Sequence, residues 1–74
     1  MIYTSRRLKL LIKSLGITQR EFAAMTGTSE TAVSRYLEGT RVPNATTIIA
    51  ITEATKVSPS WILGYGDDDK IERI

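Results

Sequence analysis

The side chains best suited to chemistry in this sequence concentrate in "SETAVSRYLEG", residues 29–39. Wound as a helix, the stretch puts Thr31, Ser34, Arg35 and Glu38 on one face and Val33, Tyr36 and Leu37 on the other. The polar face combines a guanidinium that can bond two acceptors together, two hydroxyls that donate or accept, and a carboxylate that only accepts. That set suits recognition by hydrogen bonding. It does not suit bond-making. The chain has no histidine and no cysteine, which removes the commonest general base, the commonest metal ligand and any thiolate or disulfide. No nucleophile–base pair and no metal-ligand cluster is visible, so neither catalysis nor a cofactor is expected.

Charge points to the kind of partner. The net charge is only +2, but residues 1–41 hold Arg6, Arg7, Lys9, Lys13, Arg20, Arg35 and Arg41 against Glu21, Glu30 and Glu38. Asp67, Asp68, Asp69 and Glu72 then make the C-terminal end acidic. A basic body suits an anionic partner, nucleic acid first; a merely soluble surface is the plainer alternative. At 74 residues one domain is expected, with a stability on the order of a few kcal/mol. The apolar runs Leu10–Ile12 and Ile48–Ile51 are too short to cross a bilayer. The N-terminal "MIYTSRRLKLLIKSLG" lacks the apolar core and small-residue cleavage site of a signal peptide. A cytoplasmic protein with no membrane partner is the expectation.

The elements that must hold the polar face follow from caps and periodicity. Thr4 or Ser5 can cap a first helix whose stripe is Leu8, Leu11, Ile12 and Leu15, ended by Gly16. Arg6, Lys9 and Lys13 fall on its opposite side, either approaching phosphate or simply solvated. Thr18 with Glu21 makes a capping box for a second helix, and Ile17 with Phe22 a hydrophobic staple; Gly27 stops it. Ser29 or Thr28 caps the third helix, which Gly39 ends. Asn44 can cap a fourth, with Ile48, Ile51, Thr52 and Thr55 inward, and Ser58-Pro59 opens a short fifth that closes at Gly64. The charged "DDDKIERI" then reads as a mobile tail, residues 67–74, after a domain of residues 1–66. Its aspartates lack the spacing of a calcium loop.

Two helices joined as tightly as the second and third must cross steeply. Ala23 is small enough to let the next helix approach, Gly27 supplies a positive φ, and Val33 plugs the angle between the two. These three make a helix-turn-helix whose third helix projects its outer face, a shape that fits the major groove of DNA. A plain corner in a small helical bundle is the alternative.

Residues 6–64 resemble the phage repressor and Cro helix-turn-helix family, the Xre or lambda-repressor-like five-helix domain. The likeness is carried by "GITQREFAAMTGTSETAVSRYLEGTRVPN" followed by "VSPSWILGYG". Two departures stand out: Lys56, where relatives usually have glycine, and Thr52, where they favour alanine. The resemblance implies an all-α, compact five-helix domain and a sequence-specific, Cro-like DNA-binding repressor with a double-stranded operator as partner. It also implies roles by position. Gln19 matches a glutamine that contacts phosphate at a helix N-terminus. Glu30, Thr31, Ser34 and Arg35 match positions that meet base edges or the adjoining backbone. Arg35 has the chemistry to bond guanine O6 and N7 together, and Thr31 to bond a base or pack on a thymine methyl. Glu30 either accepts from cytosine N4 or favours the helix N-terminus electrostatically. Arg41 and Asn44 flank a loop that approaches phosphate in relatives, although capping is the stronger role for Asn44.

Trp61 fits a core or dimer-contact role better than a base-stacking one, and Tyr36 a core role. Trp61, Ile62 and Tyr65 suggest self-association, or association with a partner, near the fifth helix. With nothing after the DNA domain, no ligand-sensing domain is expected. The rival function is a modulator that forms a hetero-complex with a phage repressor, an option raised by Glu30 and Glu38 beside Arg35.

Overall fold

A computed structural model describes residues 2–74. Five helices follow one another: α1 (Ile2–Leu15), α2 (Gln19–Thr26), α3 (Glu30–Glu38), α4 (Ala45–Thr55) and α5 (Pro59–Leu63). The expected all-α class holds, and among the described residues the one β pairing is an isolated bridge between Val57 and Arg73.

Local signals set most of the boundaries. Thr18 Oγ1 accepts from the Glu21 amide at 3.1 Å while the Glu21 carboxylate accepts from the Thr18 amide at 2.9 Å, so the capping box is complete. Ser29 Oγ accepts from the Ala32 amide at 3.0 Å and Asn44 Oδ1 from the Thr47 amide at 2.9 Å. Each such cap contributes about 1 kcal/mol. Ser58 precedes Pro59 as expected but makes no capping bond; its hydroxyl lies 2.8 Å from that of Ser60.

The core gathers Leu8, Leu11 and Ile12 from α1, Phe22 and Ala23 from α2, Ala32, Val33 and Tyr36 from α3, Ile48 and Ile51 from α4, and Trp61 and Ile62 from α5. Leu15, Ile17 and Leu37 pack on its margin. The apolar stripes read from the sequence are therefore the buried faces.

Three expectations need correction. The first helix starts at Ile2, so Thr4 and Ser5 lie inside it and cap nothing. Both are buried, and Ser5 instead donates its hydroxyl to the Leu37 carbonyl of α3 at 2.6 Å. Packing outweighed local propensity there. Next, Arg7 is not a surface base: its side chain is 3% exposed. Its Nη1 donates to the carbonyls of Trp61 (2.8 Å) and Tyr65 (2.6 Å), and Nη2 to that of Gly66 (2.8 Å). Nε and Nη2 meet Asp68 Oδ1 at 3.0 and 2.8 Å, and the guanidinium carbon lies 5.1 Å from the centre of the Trp61 ring. Finally, residues 67–74, read as a mobile tail, are tied to the domain. Trp61 Nε1 donates to the Asp67 carbonyl at 2.7 Å. The Ser58 amide donates to Glu72 O at 2.7 Å, and the Ile74 amide to Lys56 O at 2.9 Å. Arg73 Nη1 reaches the Thr55 carbonyl at 3.0 Å, and Ile71 packs on the core. The segment is held mainly through Arg7, whose guanidinium takes the Trp61, Tyr65 and Gly66 carbonyls, with the Asp68 carboxylate adding an ion pair at the margin.

Candidate nucleic-acid interface

The helix-turn-helix is α2 and α3. Gly27 ends α2 with φ 69° and ψ 28°, in the left-handed region, and the Thr28 amide then closes onto the Ala23 carbonyl at 3.0 Å. A side chain at Gly27 would meet no atom within 4 Å, so the glycine serves the backbone angle and not a close approach. Ala23 of α2 and Val33 of α3 are both buried in the core that the two helices share. With Ala32, Val33 and Tyr36 turned into the core, α3 presents Glu30, Thr31 and Arg35 as exposed side chains and Ser34 as half-buried.

Gln19 is the first residue of α2 and is exposed. In that first turn the Glu21 amide is taken by Thr18 Oγ1 and the Phe22 amide by the Thr18 carbonyl at 2.9 Å. The amides of Gln19 and Arg20 are left for an outside acceptor, in the positive field of the helix N-terminus. Gln19, Glu30, Thr31, Ser34 and Arg35 line one surface recess of ≈ 330 Å³. The structure thus brings together five of the seven residues singled out from the sequence. Arg41 and Asn44 sit beyond α3, outside this recess, on the loop leading to α4; both are exposed. Asn44 performs the capping role described above.

The recess has a sixth lining residue, Glu38, which the sequence placed on the right face but not at the site. Its spacing, three residues after Arg35 and four after Ser34, was the available signal. The lining therefore holds one cationic and two anionic side chains: Arg35 against Glu30 and Glu38. Among the described residues the ion pairs are Arg6 and Arg7 with Asp68, so none neutralises these three. No cluster of three or more metal-ligating side chains occurs among the described residues.

The Gly39–Arg41 turn is fastened to α3. The Thr40 and Arg41 amides both donate to the Arg35 carbonyl, at 3.1 and 3.4 Å, and Thr40 Oγ1 lies 3.3 Å from the same oxygen. The Arg41 guanidinium carbon lies 5.8 Å from the centre of the Tyr36 ring.

Residues 8–62 match the family described as "Helix-turn-helix". The chain belongs to the repressor- and Cro-type helix-turn-helix family. It is 34% identical over 64 residues to the HTH-type transcriptional regulator DicA of Escherichia coli (strain K12), an alignment that takes in 86% of this chain and 47% of DicA. The chain thus spans about half the length of that relative. The crystal structure of the P22 c2 repressor protein in complex with a synthetic operator superposes with a TM-score of 0.80 at 27% identity, covering 85% of this chain and 96% of that one. The solution structure of the DNA-binding domain of the same repressor has a TM-score of 0.78 at 24% identity, over 90% and 93% of the two chains, and shows the shared fold. The family match covers α2, α3 and the turn between them in full, so the helix-turn-helix deduced from Ala23, Gly27 and Val33 is the family's own motif.

No helix among the described residues is long and apolar enough to cross a membrane. Near the fifth helix, Trp61 and Ile62 are both 0% exposed and cannot meet a partner. The apolar side chains left at the surface there are Tyr3, Leu63 and Tyr65. Tyr3 lies against Gly64, where a Cβ would come within 3.3 Å of the Tyr3 Cβ.

Proposed function

We propose that this chain is a sequence-specific DNA-binding transcriptional repressor of the phage Cro kind, acting in the cytoplasm of a bacterial host and reading the major groove with α3. The observation that carries the proposal is the single recess formed by the exposed face of α3 and the N-terminus of α2. In this reading Gln19 and the free amides beside it grip a phosphate, which fixes register. Arg35 donates two bonds to guanine O6 and N7. Thr31 bonds a base or packs on a thymine methyl, and Ser34 bonds a base edge or the adjoining backbone. Glu30, an acceptor only, takes the N4 amine of cytosine. Arg41 and the loop up to Asn44 approach the backbone. The P22 c2 repressor, at 27% identity, is a protein solved on an operator, which supports the assignment. DicA is named a transcriptional regulator and the P22 c2 protein a repressor, which favours the DNA-binding reading over the hetero-complex one.

One recognition helix reads only a few base pairs, so selectivity calls for two copies with half-sites roughly 34 Å apart. The exposed Tyr3, Leu63 and Tyr65 replace Trp61 and Ile62 as the surface for that pairing. Selection of bound duplexes from random DNA tests the whole proposal. Enrichment of an inverted repeat with about one-turn spacing is expected. A pool that stays random after repeated rounds would sink the proposal and return the modulator reading.

A further inference from the structure

From the packing of the turn after α3 we infer that Tyr36 is a positioning residue for DNA binding, acting through Arg41. The inference rests on the proposed function and adds a part that no contact with DNA would reveal, because Tyr36 is itself 3% exposed. An arginine on a surface loop ordinarily samples many rotamers, and ordering it on a phosphate costs side-chain entropy. Arg41 starts from a different state. Its amide is drawn to the Arg35 carbonyl, together with the amide and hydroxyl of Thr40, so its backbone is fixed to the exit of α3. Its guanidinium carbon then lies 5.8 Å from the Tyr36 ring centre, within reach of a cation–π attraction. Guanidinium bonds run in its plane, so stacking by one face leaves the N–H edges available for phosphate oxygens. The same carbonyl belongs to Arg35, the residue assigned to guanine. Arg35 and Arg41 are therefore held in a fixed relation by one short turn, base reader and backbone clamp together.

The ring has two separable jobs: filling the core and carrying Arg41. Tyr36→Phe keeps both. Tyr36→Leu keeps apolar filling and removes the π face. Binding is measured on a mixed-sequence DNA duplex of roughly two turns, since a phosphate contact needs no operator. Arg41→Ala should reduce the magnitude of the log–log salt slope by about one. Tyr36→Phe should bind like the parent. Tyr36→Leu should weaken binding about two- to fivefold, the size of one exposed cation–π contact, and should weaken the Arg41→Ala protein no further. An NMR measurement on the parent protein reads the stack directly: the Arg41 Cδ protons should lie upfield of random-coil positions through the ring current, in Tyr36→Phe as well. Random-coil shifts for those protons overturn the inference, whether or not Tyr36→Leu folds. Equal losses from Tyr36→Leu with and without Arg41 also overturn it, because the ring would then act through α3 alone. A parent protein that shows the ring-current shift and binds no duplex at all fails differently: it removes the DNA function itself, and the positioning role with it.

Discussion

Replacing Arg7 by methionine removes a guanidinium that donates to three main-chain carbonyls and to Asp68 Oδ1, with Nη2 also 2.8 Å from that carboxylate oxygen. Methionine fills a similar volume, so the change is chiefly the loss of charge and donors. If residues 65–74 stayed in place, the carbonyls of Trp61, Tyr65 and Gly66 would face an apolar side chain, the most costly outcome. The segment has an alternative, which is to detach and let water take those oxygens. Detachment limits the loss to what docking contributes, including the Trp61 Nε1 bond to Asp67 and the packing of Ile71. With about 1–3 kcal/mol for each of the three carbonyls left without a donor, and detachment setting the ceiling, the loss should be about 3–5 kcal/mol, most of the stability expected of so small a domain. At about 4–8 °C per kcal/mol the midpoint should fall by at least roughly 12 °C. Asp68→Asn is the control. Asp68 has a side chain 37% exposed and keeps an acceptor oxygen as asparagine, so its loss should stay near or below about 1 kcal/mol. Thermal melts rank the two variants. Hydrogen exchange at the Ser58 and Ile74 amides, which bond Glu72 and Lys56, reports the segment itself. An Arg7→Met protein that melts with the parent and keeps those amides protected would refute the reasoning. Equal losses in the two variants would show that the ion pair, not capture of the carbonyls, holds the segment.

The remaining predictions use the other specific positions. Lys56 ends α4 with φ 63°, the one non-glycine positive φ among the described residues. Lys56→Gly should stabilise by about 0.5–1 kcal/mol, relief of the left-handed strain less glycine's extra chain entropy, whereas Lys56→Ala should gain nothing by urea titration. Thr52 carries a buried hydroxyl with no partner, and Thr52→Ala should raise stability by about 1 kcal/mol in the same assay. Gly27→Val should cost about 1–3 kcal/mol through the φ of 69° alone, and Gly27→Asn much less, as melts would show. Arg35→Ala should lose about 1–3 kcal/mol of binding at one base pair of a selected site while the melt is unchanged, since Arg35 lies outside the core.

What the sequence disclosed, and what it hid, divides by range. Caps and stops act over three or four residues, so Thr18 with Glu21, Ser29, Gly27 and Gly39 were readable and each is where it was expected. Faces follow from periodicity, and α3 divides as its pattern requires. Arg7 was misread because its partners lie 54 to 61 residues away, and no local pattern separates a buried arginine from an exposed one. The tail was misread for the same reason, seen from its other end. Thr4 and Ser5 look like caps, yet they lie one turn into a helix whose start local signals did not mark. Lys56 and Thr52 are more instructive. Each sits at a cost in the structure, backbone strain at Lys56 and an unpaired hydroxyl at Thr52, and each cost follows from backbone angle and burial, without reference to DNA.

On the proposed function, the charge of the recess divides the labour of binding. With Arg35 opposed by Glu30 and Glu38, α3 offers a polyanion no net attraction. Attraction must then come from around it: the α2 N-terminus, Arg20 beside Gln19, Arg41 on its turn, and the exposed Lys9 and Lys13 where they lie within reach. Phosphate contacts set affinity and salt dependence but carry no sequence information, whereas base-edge contacts do the reverse. A carboxylate amid the acceptor-rich edge of guanine is repelled, and it is satisfied only by an amine such as cytosine N4 or adenine N6. The two acids therefore lower affinity for wrong sequences more than for right ones, which is how a small, weakly charged domain can remain selective. The arrangement ties the two arginines to different observables. Losing Arg35 should alter base preference with little change in salt slope, and losing Arg41 should alter the slope with little change in preference.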